Sequence, residues 1–315
     1  MQTDENMNFT LDLDELDAML DEQRSRMDHT LKLEIEHFTD PLCGWCYGME
    51  PATTMLRFRL GERVDYHYTM GLMIPDAAQM VGTGLEAVRR FNAMKGQLAA
   101  GYSIMANKTG MPMSWAHVPG LQPDDIETVN SSLAYEAIKI VDGPDAASRF
   151  LKLLRQSAFA FDMQIGKQGN VDLLVESTGV DMAVFRDAIE SGRAQYELDG
   201  EVARTRSLGI EAFPTLLITY GSMRTVVGGY QTPEDLAAIV ADLTDGYVTL
   251  EAPEYSKERA LDLLRQFDRV SAEEMRAAFD LTEEDLEISV GVLKNEGLVD
   301  VTPRGGSFFI SLARS

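Results

Sequence analysis

The chain has 315 residues, 45% of them hydrophobic, and a net charge of −23. That length holds two domains, one of them with a large insertion, and that charge disfavours nucleic acid and anionic membrane as partners. No run of about 18 apolar residues occurs, which predicts no membrane span, and the acidic N-terminus lacks the basic and apolar regions of a secretory signal, which predicts a cytoplasmic protein.

Residues 1–30 carry nine acidic residues against Arg24 and Arg26, the pattern of a flexible, solvated arm. Within it Leu13, Leu16, Met19 and Leu20 fall at helical spacing, so a short amphipathic helix competes with a frayed polar arm. Leu31–Phe38 alternates apolar and polar residues and reads as a strand. Met49–Leu60 reads as a helix and Val64–Met70 as a second strand, a βαβ opening with a right-handed crossover.

From about residue 75 to 191 strand signals vanish. Leu85–Leu98, Asp124–Val141, Ala146–Phe161, Val171–Thr178 and Met182–Ser191 all show helical spacing, and Gly192–Leu208 is one more helix with Gly209 as its C-cap. Thr215–Thr219 and Arg224–Val227 read as a hairpin turning at Gly221-Ser222, followed by a helix over Pro233–Leu243. Tyr247–Pro253 reads as a linker. Beyond it the pattern predicts helices over 256–269, 271–279 and 282–296, then a hairpin ending at Leu312. Ser271 with Glu274, and Thr282 with Asp285, are spaced as capping boxes.

Between the first strand and first helix lies Asp40-Pro-Leu-Cys-Gly-Trp-Cys-Tyr-Gly-Met-Glu-Pro51, which holds Cys43 and Cys46, the only two cysteines in the sequence. At a strand-to-helix junction the first sulfur can lie against free backbone N–H groups and the positive end of the helix dipole, which lowers a thiol pKa. The three-residue step lets the second sulfur fold back on the first. This points to a redox pair. The competing readings are two inert buried cysteines or half of a zinc site, for which His29, His37, His67 and His117 are too scattered to supply the remaining ligands.

Asp40 to Gly48 resembles the active-site segment of the DsbA-like branch of the thioredoxin superfamily, closest to bacterial cytoplasmic disulfide isomerases and FrnE-like proteins. Gly209-Ile-Glu-Ala-Phe-Pro-Thr-Leu-Leu-Ile218 resembles the cis-proline loop of that superfamily, and Gly228-Gly-Tyr-Gln-Thr-Pro-Glu-Asp-Leu236 its last strand and helix. Thr128 to Ala137 resembles the segment re-entering the helical cap of DsbA-like proteins. The resemblance implies an α/β thioredoxin fold with a mixed four-stranded sheet, built from 31–74 and 192–246, with a helical insertion over 75–191. Residues 254–315 resemble a small winged-helix-like domain.

The same resemblance implies the chemistry. Cys43 faces solvent and attacks, and Cys46 is more buried and resolves the mixed disulfide. With no His or Lys between them, the pair is expected nearer the thioredoxin potential of about −270 mV than the DsbA potential of about −120 mV. Pro214 is expected cis, turning the backbone of Phe213 toward the sulfurs so that an extended substrate can pair there. Phe213, Pro214 and Thr215 are thus substrate-binding candidates. Trp45 either offers an apolar contact to substrate or fills surface. Asp40 either modulates Cys46 or caps the turn with Pro41, the turn being the usual role of Asp-Pro. His37 reads as a packed histidine. The methionines between the motif and the insertion read mainly as core, with Met70–Ile74 expected beside the active site.

The expected function is thiol–disulfide oxidoreductase or isomerase action on protein cysteines. It requires no organic cofactor or metal, and its partners are protein thiols or disulfides and a cellular thiol reductant or oxidant. The alternative is a non-enzymatic DsbA-like adaptor that presents a client to a partner such as a protease. Residues 254–315 hold eight basic and thirteen acidic residues, a net of −5, and the third helix there begins Thr282-Glu-Glu-Asp. Acids at that position would face phosphates, so the domain reads as a protein-contact or self-association module, the latter implying a homodimer, and not as a nucleic-acid binder.

Overall fold

A computed structural model describes residues 31–313. The acidic arm of residues 1–30, with the Leu13–Leu20 spacing, lies outside the described residues.

Strand β1 (Leu33–Thr39) runs through the middle of a four-stranded sheet of order β2-β1-β3-β4. β2 (Val64–Met70) lies parallel to β1 from Leu33↔Val64 to Thr39↔Met70. Parallel neighbours need a crossover, and here it is α1 (Gly44–Gly48) followed by α2 (Glu50–Leu60). β3 (Thr215–Tyr220) pairs antiparallel with β1, and β4 (Met223–Gly228) with β3. The turn joining them takes positive φ at Gly221, where a side chain would be strained. This is the mixed thioredoxin-type sheet expected from the sequence.

The segment between β2 and β3 carries helices and no strand: α3 (Ala77–Val81), α4 (Gly84–Thr109), α5 (Val129–Phe159), α6 (Gln168–Ser177), α7 (Met182–Glu190) and α8 (Arg193–Ser207). α4 outruns its expected end at Leu98 by three turns. α5 spans both helices expected at 124–141 and 146–161, but Gly143 is non-helical (φ 86°) ahead of Pro144, so the sequence break survives as a kink. The 124–128 stretch is a 3₁₀ turn and lead-in instead of helix. α9 (Pro233–Leu243) follows the hairpin, its start closed by a Thr232/Asp235 capping box.

Three apolar clusters result. One joins the helical segment to the β2 side of the sheet through Tyr68 and Met70. The second packs α2 and α9 on the opposite face, through Leu33, Ile35, Met55, Leu56, Leu216 and Leu236. The third belongs to the C-terminal elements: α10 (Lys257–Phe267), β5 (Arg269–Ser271), α11 (Ala272–Phe279), α12 (Glu283–Asn295), β6 (Val299–Arg304) and β7 (Ser307–Leu312). The last two strands form the expected hairpin, and β5, too short to be legible in sequence, completes a β5-β7-β6 sheet.

The stretch from Tyr247 to Pro253 has no regular structure, yet Val248 and Leu250 are buried in the second cluster. The Arg59 guanidinium, from α2, donates to the carbonyls of Leu250 (2.5 Å), Ala277 (2.6 Å) and Ala278 (3.1 Å) and pairs with Asp280 (2.7 Å). Deeper in, Glu274 of α11 accepts from Thr54 (2.7 Å) and from Lys152 of α5. Among the described residues no helix is long and apolar enough to cross a membrane.

Candidate active site

β1 delivers the chain to the site. At its end the buried Asp40 makes the turn: its carboxylate accepts from Leu42 N–H at 2.8 Å, and its carbonyl from Cys43 N–H at 3.1 Å. The second carboxylate oxygen accepts from Met73 N–H at 2.7 Å, tying the cysteine loop to the segment after β2. Burial raises the pKa of this carboxyl against the lowering effect of those donors. The turn reading of Asp-Pro thus holds, with an added cross-link between loops.

Cys43 is the N-cap of α1, with Cys46 one turn on. Cys43 Sγ accepts from the Cys46 backbone N–H at 3.2 Å. The two sulfurs are joined as a disulfide, with Cα atoms 5.2 Å apart. A sulfur in this position meets an orphan donor and the positive end of the helix, which favours the thiolate once the bond is opened. One expectation needs correction: Cys43 does not face solvent openly. It is 4% exposed and Cys46 1%. The reason is the length of α4, which carries Met105 over the start of α1. A Cβ on Gly44 would lie 2.8 Å from Met105 Sδ, so a larger residue there would have to displace the methionine. Tyr47 anchors the same helix, stacking on Phe159 at 5.2 Å and donating to Pro112 O at 2.8 Å.

The second loop arrives by register. Thr215 pairs with Phe38, so the residues before it stand beside the Thr39–Cys43 turn. The Phe213–Pro214 peptide is cis. Pro214 O accepts from Gly229 N–H at 2.8 Å, which holds the loop against the end of β4. Phe213 is half-buried, and its ring lies on Gly71, where an added Cβ would come within 1.8 Å of Cζ. The Met70–Ile74 segment accordingly borders the site.

Trp45, between the cysteines, is half-buried and packs on Tyr230, ring centroids 5.7 Å apart. The ammonium of Lys108, from α4, lies 5.8 Å from the Trp45 centroid and 5.3 Å from that of Tyr230. So a lysine does reach the motif, from the insertion and not from between the cysteines. Lys108 and Tyr230 were not picked out as site residues by sequence reasoning; Gly71 fell within the Met70–Ile74 segment expected beside the site, and Met105 was read only as core. Tyr230 had a signal: it is two residues past Gly228, which pairs with Thr215 next to the cis proline. Lys108 had none, since the path of α4 is set by packing.

His37 is buried, hydrogen-bonded to the Tyr66 hydroxyl at 2.7 Å, and held neutral by burial and then by Arg155, which lower its pKa. It is a packed histidine. Met49, Met55, Met70, Met105, Met111 and Met113 are core; Met73 and Met80 are exposed.

A buried disulfide pair at a helix start, beside a cis proline on a mixed four-stranded sheet, defines a thioredoxin-fold protein. The chain belongs to the family described as Thioredoxin, whose sequence model matches residues 37–226. Among solved structures it is similar to a Nitrosomonas europaea protein assigned by inference as a protein disulfide isomerase. That match has a TM-score of 0.56 and 17% identity, covering 68% of this chain and 98% of the other. The cytosolic disulfide reductase DsbM from Pseudomonas aeruginosa matches with a TM-score of 0.53 and 17% identity, covering 67% and 98%. Among curated proteins it is similar to the ClpXP adapter protein SpxH of Bacillus subtilis, 24% identical over 284 residues, covering 89% of this chain and 90% of the relative. SpxH of Shouchella clausii is 23% identical over 274 residues, covering 86% and 85%.

Proposed function

We propose that the chain is a cytoplasmic thiol–disulfide oxidoreductase or isomerase acting on protein cysteines. The observation that carries this reading is the Cys43–Cys46 disulfide at a helix start, beside a cis proline whose loop can pair with an extended chain. In the reducing direction the Cys43 thiolate attacks a substrate disulfide, forms a mixed disulfide and expels one substrate thiolate, which takes up a proton. The Cys46 thiolate then attacks Cys43 Sγ, releasing the second substrate thiol and restoring the internal disulfide. Two cellular thiols in succession, or one dithiol, then return the pair to the dithiol and leave as a disulfide. Isomerisation uses the first step and its reversal on another substrate sulfur, with no net oxidation. Phe213, Pro214, Thr215 and Trp45 bind substrate in this scheme. Catalysed reduction of a protein disulfide by the wild type, lost in Cys43→Ser, is the expected result; absence of turnover by the wild type refutes it.

The likeness to SpxH proteins over most of their length favours a second reading, an adaptor that binds a client without turning it over. On that reading residues 254–313, which we take as a winged-helix-like protein-contact module, hold the client or a second copy of the chain. Their acidic balance leads us to expect no micromolar complex with duplex DNA in a mobility-shift assay of the full chain at physiological salt. Turnover separates the two readings, because an adaptor needs stable binding and no exchange.

A further inference from the structure

Most lysines of this acidic chain have a protein partner. Lys139 and Lys152 pair with buried or half-buried carboxylates, Lys167 with Asp125, and Lys257 with Glu296. Lys95 donates to the carbonyls of Pro119 and Leu121. Lys32, Lys108 and Lys294 are exposed and, among the described residues, have no carboxylate or hydrogen-bond partner. Of these three, Lys108 alone is held against aromatic rings. Its ammonium instead lies over the faces of Trp45 and Tyr230, which hold a cation in place without neutralising it.

The two rings belong to the two halves of the site. Trp45 separates the cysteines, and Tyr230 follows Gly229, whose N–H holds the cis-proline loop through Pro214 O. A substrate strand lying between the halves therefore passes this aromatic pair and the charge above it. Glu234, Asp235 and Glu273 are close enough to act on the Tyr230 hydroxyl. Asp235 is occupied as a helix cap and Glu273 is paired with Arg276. These acids oppose a run of negative charge on a substrate, so any attraction comes from the Lys108 ammonium alone.

We infer that Lys108, held by Trp45 and Tyr230, forms a subsite for a single carboxylate on the substrate chain, next to the disulfide being exchanged. This rests on the oxidoreductase reading. Lys108 acts here on specificity and takes no part in the bond changes.

The test uses the full chain and three peptide disulfides alike except for Glu, Gln or Lys beside the reacting cysteine. The wild type is expected to prefer Glu over Lys by up to about fivefold in kcat/KM at low salt, carried by KM, the size expected of an exposed charge pair. The preference shrinks at about 1 M salt, where the screening length falls to about 3 Å. It disappears in Lys108→Met and reverses in Lys108→Glu. A change in fold alone would slow all three peptides together and leave their ranking intact. Exchange by the wild type without charge preference, or a preference that persists in Lys108→Met, overturns this inference alone. No exchange with any peptide overturns the oxidoreductase reading and this inference with it.

Discussion

Cys43 and Cys46 share one environment but have unequal chemistry. Cys43 caps the helix and accepts the Cys46 N–H, whereas Cys46 lies inside the first turn. On the proposed exchange chemistry the helix start favours a thiolate there over one a turn inside, so Cys43 is expected to attack and Cys46 to resolve. Cys46→Ser is expected to accumulate mixed disulfides with client proteins, since nothing resolves them, and Cys43→Ser to trap few; non-reducing gels of captured complexes read the difference. Equal trapping by both would place the charge elsewhere. Gly71 makes a second prediction. Any Cβ there meets the Phe213 ring, so Gly71→Ala must displace that ring and with it the substrate-binding face proposed for the cis-proline loop. Misplacing a reacting group by about 1 Å can cost about a hundredfold, so a fall of at least about tenfold in exchange rate is expected, with the melting temperature separating this from unfolding. At this scale the legible residues were those with local signals: two cysteines three apart, and a proline in a recognisable loop. Lys108 reaches the site by packing between distant segments, and no local pattern announces that.

Periodicity located the elements well, apart from where each ended. α4 continued to Thr109 because its last turns cover the cysteine helix, a tertiary reward that residues 99–109 do not show in sequence. The Gly143-Pro144 break was visible because it is a backbone property. The inner face of α5 also carried something periodicity misses: a fully buried acid. Glu136 is 0% exposed and shares Lys139 with Glu201. Glu201 in turn accepts from the Met70 N–H at 2.5 Å, at the end of β2. Burial first, and then the Glu201 charge, push Glu136 from its ordinary 4.5 to about 8. A carboxyl with a raised folded pKa binds more protons folded than unfolded. Its contribution is therefore fully present below about 4.5 and lost as pH rises through about 8. Wild-type stability relative to Glu136→Gln should fall across that window by on the order of a few kcal/mol. Urea unfolding of both proteins at several pH values checks this, and parallel curves would refute it. His37, held neutral by burial, works in the opposite sense at lower pH, and the comparison with Glu136→Gln cancels it.

At the scale of the whole molecule the sequence divided the chain into parts, and the structure shows how tightly the last part is bound to the others. Long basic side chains are seldom buried without partners, and nothing local marks Arg59 or Lys152 as exceptions. Both are buried, because their partners come from more than a hundred residues away: Asp280 and three carbonyls for Arg59, Glu274 for Lys152. Glu274 does double duty. One oxygen accepts from Ser271 N–H as the capping box legible in sequence, and the other takes Thr54 and Lys152, which was not legible. Near it, Glu50 binds Arg155 at 2.6 Å, and Arg155 donates on to Thr39 at the end of β1. A chain of buried charge thus runs from α11 through α5 and α2 to the strand that carries the cysteine loop. A buried pair adds little net stability when intact, but removing one partner strands a charge at a cost of about 3–5 kcal/mol. Glu274→Ala should lower the unfolding free energy by about that amount, since it leaves Lys152 with the Thr54 hydroxyl at 3.3 Å and, as its one carboxylate, Glu50 4.0 Å away. The double variant Glu274→Ala with Lys152→Met, which removes both charges, should recover much of the loss. A chain ending at residue 253 should lose more than Glu274→Ala, because Arg59, Phe58 and Thr54 on α2 are uncovered together. The full chain should melt in one cooperative transition monitored by circular dichroism. If the shortened chain melts at the same temperature as the full one, the C-terminal part is an independent attachment, and the buried charges contribute nothing to the fold that carries the disulfide.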